Sequence, residues 1–206
     1  MVIQRIHPHG DVEYAGRAWL VHGYNIKDDG ASTIDRLRPH LQAVGFAVMD
    51  IDYGWRGLLG VRLHNDKTAQ QIARLAQPGD VGFGHSNGCA ILHQASQLGA
   101  GLSGLVYVNP ALNKNAVPGP KTDWCHVWHT KHDWTVQWAK FLPFHTWGNM
   151  GRVGFRGQDV RVCNFDMSAS VSGHSHVFRD PVLREFGPKI ASIARAALTV
   201  DLAEGG

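Results

Sequence analysis

The sequence predicts an α/β domain: a mostly parallel sheet of about six strands with helices on both faces. Two observations carry this. Short apolar runs alternate along the chain with segments of helical period, and turn signals rich in glycine and proline separate them. A length of 206 residues fits one compact domain spanning 1–206, and neither an internal repeat nor a low-complexity linker divides it.

Ala18-Trp19-Leu20-Val21 reads as a buried strand ending at His22-Gly23. Ser32, with Asp35 three positions on, opens a helix in a capping-box-like pattern. Its apolar face is Ile34, Leu37, Leu41 and Val44, and Gly45 ends it. Phe46 to Met49 form the next strand. Residues Tyr53 to His64 are expected to be irregular, with Asn65 or Asp66 capping a helix that carries Ala69, Ile72, Ala73 and Ala76. After Pro78-Gly79, Asp80 to Phe83 make a third strand, and the following helix buries Ile91, Leu92, Ala95 and Leu98 before Gly99. Leu105–Val108, Cys125–Trp128 and Val160–Cys163 are the remaining strands. A last helix starts near Asp180-Pro181, is broken or kinked at Pro188, continues its face through Ile190, Ile193, Ala194, Ala197 and Leu198, and frays over 201–206. The segment Gln137 to Gln158, rich in aromatic residues, glycine and arginine, is a second irregular stretch of the kind that often carries function.

Composition excludes several function classes. A net charge of +3, from 20 Lys+Arg against 17 Asp+Glu, is too small and scattered for a nucleic-acid groove. Cys89, Cys125 and Cys163 are odd in number and widely spaced, so they read as buried thiols in a reducing compartment. The first residues lack the apolar core of a signal peptide, and no stretch approaches the roughly 20 apolar residues of a bilayer span. A cytoplasmic location without an integral membrane segment is the expectation. His126, His129 and His132 recur every three residues, but a strand running into a loop would splay them, so no metal is expected. No Gly-x-Gly-x-x-Gly run follows a strand and no Walker pattern is present, so no cofactor is implied. Nothing in the sequence signals an oligomeric state.

Gly84-His85-Ser86-Asn87-Gly88 matches Gly-x-Ser-x-Gly between an apolar strand and a helix. A sharp bend there lifts Ser86 above the sheet edge as a candidate nucleophile, with glycines where side chains would collide. It also sets Ser86 at a helix N-terminus, whose free N–H groups favour developing negative charge. An oxyanion hole needs two N–H donors. Asn87, after the serine, supplies one, and Tyr24, after His22-Gly23, the other.

On Leu20-Val21-His22-Gly23-Tyr24, Gly84–Gly88 and partners in the order Ser, Asp, His, the chain resembles the α/β-hydrolase superfamily, in its branch of small serine esterases and lipases. The likeness runs from about residue 16 to 200. Against that resemblance the sequence is short, and the expectation is a fold without one or two of the family's N-terminal strands and without a large cap domain. The resemblance implies an acid just after a late strand, and Asp133, three residues before Val136, fits. Asn109 holds an alternative acid position but cannot be charged; Asp166 and Asp123 are further alternatives. It also implies a base in the loop before the final helix. Gly173-His174 resembles the family's Gly-His pairing, with His176 as the alternative base.

The expected activity is hydrolysis of a carboxylic ester or thioester through a Ser86–His174–Asp133 triad and an acyl-enzyme. The expected partner is a small-molecule, lipid or acylated substrate. Candidate pocket residues are His22, His85, Trp55, Trp134 and Trp138, with Leu58, Leu59, Phe141, Leu142, Phe144 and Trp147 nearby in sequence. Two rivals stand beside this: a non-catalytic binding protein of the same fold, and an acyltransferase using the same triad.

Overall fold

The computed structural model describes residues 15–23, 28, 30–51, 58–139 and 147–204. Its strands are β1 (Gly16–Val21), β2 (Phe46–Asp50), β3 (Asp80–His85), β4 (Leu102–Val108), β5 (Trp124–His129) and β6 (Val162–Asp166). They form one six-stranded sheet in the order β2-β1-β3-β4-β5-β6, parallel throughout. The helices are α1 (Arg38–Ala43), α2 (Leu58–Leu75), α3 (Asn87–Gln97), α4 (Trp134–Ala139), α5 (Met150–Val153) and α6 (Val182–Glu204).

Parallel strands need crossovers, and the crossovers cover both faces. Ala18, Leu20, Phe46, Val48, Val81, Phe83, Val106 and Val108 point to one face, where Leu41 of α1 and Leu183, Phe186, Ile190, Ala194 and Leu198 of α6 bury them. The alternate residues Trp19, Val21, Met49, Leu105, Tyr107, Cys125 and Val127 point to the other, under Ala69 and Ile72 of α2 and Ile91, Leu92 and Ala95 of α3. The chain leaves β1 toward β2 on one side and returns to β3 on the other. The carboxyl ends of β1 and β3 therefore flank the switch point of the sheet, the place where such folds bind ligands.

Several elements differ from expectation for identifiable reasons. Ser32 does not cap a helix; its N–H donates to Asp28 Oδ2 at 3.0 Å, and Asp35 turns to Arg38 instead. A 3-10 turn over Ile34–Leu37 precedes α1, because Pro39 has no N–H to continue the ladder. α2 starts at Leu58, so Leu58 and Leu59 open a helix and Asn65 lies inside it. Gly60 lowers helix propensity by about 1 kcal/mol against alanine, which eighteen helical residues outweigh. β6 begins two residues later than expected, since Asp159 and Arg161 form a turn: Arg161 N–H donates to Asp159 Oδ1 at 3.0 Å and Val162 N–H to Asp159 O at 3.1 Å. α6 passes through Pro188 and reaches Glu204, held by buried residues on either side of the proline. Leu98 and Cys163 are exposed; Cys163 sits on edge strand β6. No helix among the described residues is long and apolar enough to cross a membrane.

Candidate active site

β3 ends at His85, and α3 starts two residues later. The bend between them is Ser86, whose φ of 55° and ψ of −119° few L residues adopt. Three backbone hydrogen bonds hold it. Ser86 N–H donates to Val108 O, and Ser86 O accepts from Cys89 and Ala111 N–H, each at 3.2 Å. Gly88 lets α3 press on the end of β1: a Cβ there would lie 2.0 Å from Val21 O. The N–H groups of Asn87 and Gly88 lie in the first turn of α3, where a helix has no acceptor of its own for them.

Asp133 follows β5 in a turn closed by its own N–H on Thr130 O at 3.0 Å. It is fully buried. Its Oδ1 accepts from Val136 N–H at 3.2 Å and its Oδ2 from His174 Nδ1 at 2.7 Å. The short approach needs Gly151, where a Cβ would sit 2.8 Å from Asp133 Oδ2. Thr130 Oγ1 donates to Val171 O at 2.6 Å, tying the aspartate turn to the histidine loop. The carbonyl of His174 accepts from Asn109 Nδ2 at 2.5 Å and His85 Nε2 at 3.3 Å. Because a carbonyl only accepts, the His85 proton sits on Nε2. Burial, then the neighbouring His174, holds His85 well below the usual imidazole range, so its ring is neutral.

Ser86 follows His85 at the end of β3, and the His85 ring lies 4.7 Å from that of His174 between centroids, so His174 comes to the same end of the sheet. Among the described residues the Ser86 hydroxyl makes no hydrogen bond to His174. His176 does not meet Asp133: its Nδ1 accepts from Ser172 N–H at 3.0 Å. Asp166 accepts from Ser168 N–H at 2.8 Å, and Asn109 reaches the backbone of His174 rather than its ring. His22 is buried at the end of β1 with Nδ1 donating to Gly23 O at 2.9 Å. A Cβ on Gly23 would lie 3.1 Å from Ser86 Cβ, so this turn abuts the serine. Tyr24 and Trp55 lie outside the described residues, as do Phe141, Leu142 and Phe144. Trp134 and Trp138 are 53% and 68% exposed on α4, and Arg152 stacks over the Trp134 ring at 3.9 Å.

Besides the Asn87 side chain, three residues escaped the sequence reading in these roles: Asn65, Trp147 and Asn109. Asn65 and Asn87 exchange side-chain amide hydrogen bonds at 3.0 and 3.1 Å, and Trp147 Nε1 donates to Asn87 Oδ1 at 2.9 Å. Asn109 is the third. Asn65 left a signal: it shares a helical stripe with Ala69 and Ile72, a polar residue on an apolar face.

No family model matches the chain, and no curated protein matches it. Solved structures do. A Xanthomonas campestris protein assigned as a hydrolase of the alpha/beta superfamily has 18% identity and a TM-score of 0.54, over 90% of this chain and 99% of that one. A monoacylglycerol lipase from Paleococcus ferrophilus has 14% identity and a TM-score of 0.59, over 95% and 99%. An esterase domain from Rhodothermus marinus has 10% identity and a TM-score of 0.57, over 95% and 99%. Such likeness over nearly the whole length, with the parallel sheet and the Ser86 bend at its switch point, gives this chain the α/β-hydrolase fold.

Proposed function

We propose that the chain is a serine hydrolase acting on a carboxylic ester or thioester, with Ser86, His174 and Asp133 as its triad. The carrying observation is the 2.7 Å hydrogen bond from His174 to a fully buried Asp133, made at the sheet end where Ser86 stands on its strained bend. With Nδ1 committed to Asp133, His174 keeps Nε2 for proton transfer. Resting contacts between nucleophile and base are often open and close only around substrate. Ser86 Oγ attacks the carbonyl carbon as His174 Nε2 takes its proton. The tetrahedral oxyanion rests on the N–H of Asn87 and that of Tyr24. Collapse expels the alcohol or thiol, protonated by His174, and leaves an acyl-enzyme on Ser86. Water, deprotonated by the same imidazole, then releases the acid. Structural neighbours named as a lipase and an esterase domain agree with ester chemistry.

The test is labelling with a fluorophosphonate probe followed by peptide mapping. Label on the Ser86 peptide, lost in Ser86→Ala, is the expected result. Undiminished labelling of Ser86→Ala would overturn the reading.

A further inference from the structure

Two side chains outside the triad converge on one backbone atom of its base. Asn109 is fully buried at the end of β4, with φ of 45°. Its N–H donates to Trp128 O at 2.8 Å, and its Nδ2 to His174 O at 2.5 Å. The amide cannot be turned over, since its oxygen would then face a carbonyl oxygen. In the orientation it holds, Oδ1 is buried with no hydrogen-bond partner. A buried orphan acceptor costs free energy, and an apolar side chain would avoid that cost. Asparagine is one of the few L residues that adopt this left-handed backbone, and what the position gains from it over glycine is the donor. The second donor is His85 Nε2–H on the same carbonyl at 3.3 Å. The His85 ring also packs against the His174 ring at 4.7 Å and, nearly perpendicular, against Phe178 at 5.0 Å.

The carbonyl needs holding. Gly173 precedes His174, with nothing within 4 Å of where its Cβ would be. An imidazole anchored only at Nδ1 pivots about that one hydrogen bond, and Nε2, across the ring, swings furthest. A second anchor on its own backbone removes the pivot. We propose that Asn109 and His85 form a two-donor clamp on the His174 carbonyl that sets where Nε2 points. Both are positioning residues for the reaction proposed above, on which this inference rests.

The test uses Asn109→Gly, which tolerates the left-handed backbone and deletes the amide, with His85→Phe and His85→Gln. Phenylalanine keeps the ring packing without the donor, and glutamine restores an N–H donor. Thermal melts first establish folding. Asn109→Gly is expected to lower kcat on a short-chain ester about a hundredfold while KM stays within about threefold, as a misplaced base does. His85→Phe falls in the same sense, and His85→Gln recovers most of the loss. In proton NMR, the downfield resonance of His174 Nδ1–H is expected to broaden in Asn109→Gly and His85→Phe and to stay sharp in His85→Gln. Folded Asn109→Gly and His85→Phe with wild-type kcat and an unchanged resonance would overturn the clamp. Should Asn109→Gly not fold, the His85 pair decides: loss in Phe with recovery in Gln supports it, and equal behaviour refutes it. Should the wild type carry no label at Ser86, the hydrolase reading falls alone, and the NMR comparison still decides the clamp.

Discussion

Ser86 holds its hydroxyl on a backbone with φ of 55°, a conformation that costs a side chain of order 1–3 kcal/mol. Removing the side chain relieves that strain, whereas alanine retains it. Ser86→Gly is therefore expected to be more stable than Ser86→Ala by about 1 kcal/mol, seen as a higher urea midpoint, although both lack the proposed nucleophile. Equal midpoints would mean the bend is unstrained. The two histidines of the loop separate by the same kind of reasoning. His174 is hydrogen-bonded to Asp133, while His176 Nδ1 is engaged by Ser172. His174→Ala is expected to lower kcat/KM on a short-chain ester at least about a thousandfold, and His176→Ala far less. The reverse order would reassign the base. Ser86 was legible as a candidate from the glycines around it between a strand and a helix, whereas Asp133 and His174 were legible as candidates only through the resemblance, which implies an acid three residues before an apolar one and a base after a glycine. Asn109 and Trp147 were not legible as partners of the site. Each meets its partner through tertiary placement alone, 65 residues apart for Asn109 and His174, and 60 for Trp147 and Asn87.

Elements divide the work along β3. One end of the strand delivers Ser86; the other is locked by Asp80. Its carboxylate accepts from Arg17 Nε at 2.8 Å and Nη2 at 2.6 Å, from Trp19 Nε1 at 2.8 Å and from Gln77 N–H at 2.9 Å. Asp80 and Trp19 are buried and the Arg17 side chain is only 12% exposed, so losing the carboxylate leaves an indole N–H without its acceptor away from water and a largely covered guanidinium without its counter-charge. Asp80→Ala is expected to cost about 3–5 kcal/mol in urea unfolding, with the proposed ester turnover kept wherever the variant is folded, because the Ser86 end of the strand is untouched. A loss within about 1 kcal/mol would show that water reaches the guanidinium. Strand and helix order was legible because buried parallel strands leave continuous apolar runs. Boundaries failed where tertiary packing overrode a local breaker. Pro188 should stop a helix by its missing N–H, yet Phe186 and Ile190 bury against the sheet on both sides of it, and the helix runs through.

Burying a sheet on both faces also buries histidines, and this couples the whole molecule to pH. Desolvation is the leading cause that lowers His85, His93, His126 and His129, and it takes His126 down to about 4. In the unfolded chain each regains an ordinary imidazole and takes up a proton as pH falls through about 6.5. Folded His126 does not follow until about pH 4. Between those limits the unfolded state binds more protons, so stability is full above about pH 6.5 and declines toward pH 4. His126 alone accounts for a loss of at most about 3 kcal/mol across that window. The carboxylates of Asp159 and Asp166 are lowered from 3.8 by hydrogen bonds from Arg161 and Ser168, so their contribution is lost in a more acidic range. Urea midpoints of the wild type are expected to drop steadily from pH 7 to 4.5. His126→Phe, which keeps a ring against Trp124 and Phe165, is expected to flatten that slope without lowering the neutral-pH midpoint by a comparable amount. A wild-type midpoint that stays level down to pH 4.5 would mean that the buried imidazoles take up protons in the native state, and a slope unchanged in His126→Phe would assign the coupling to the other lowered histidines, His40, His85, His93 and His129.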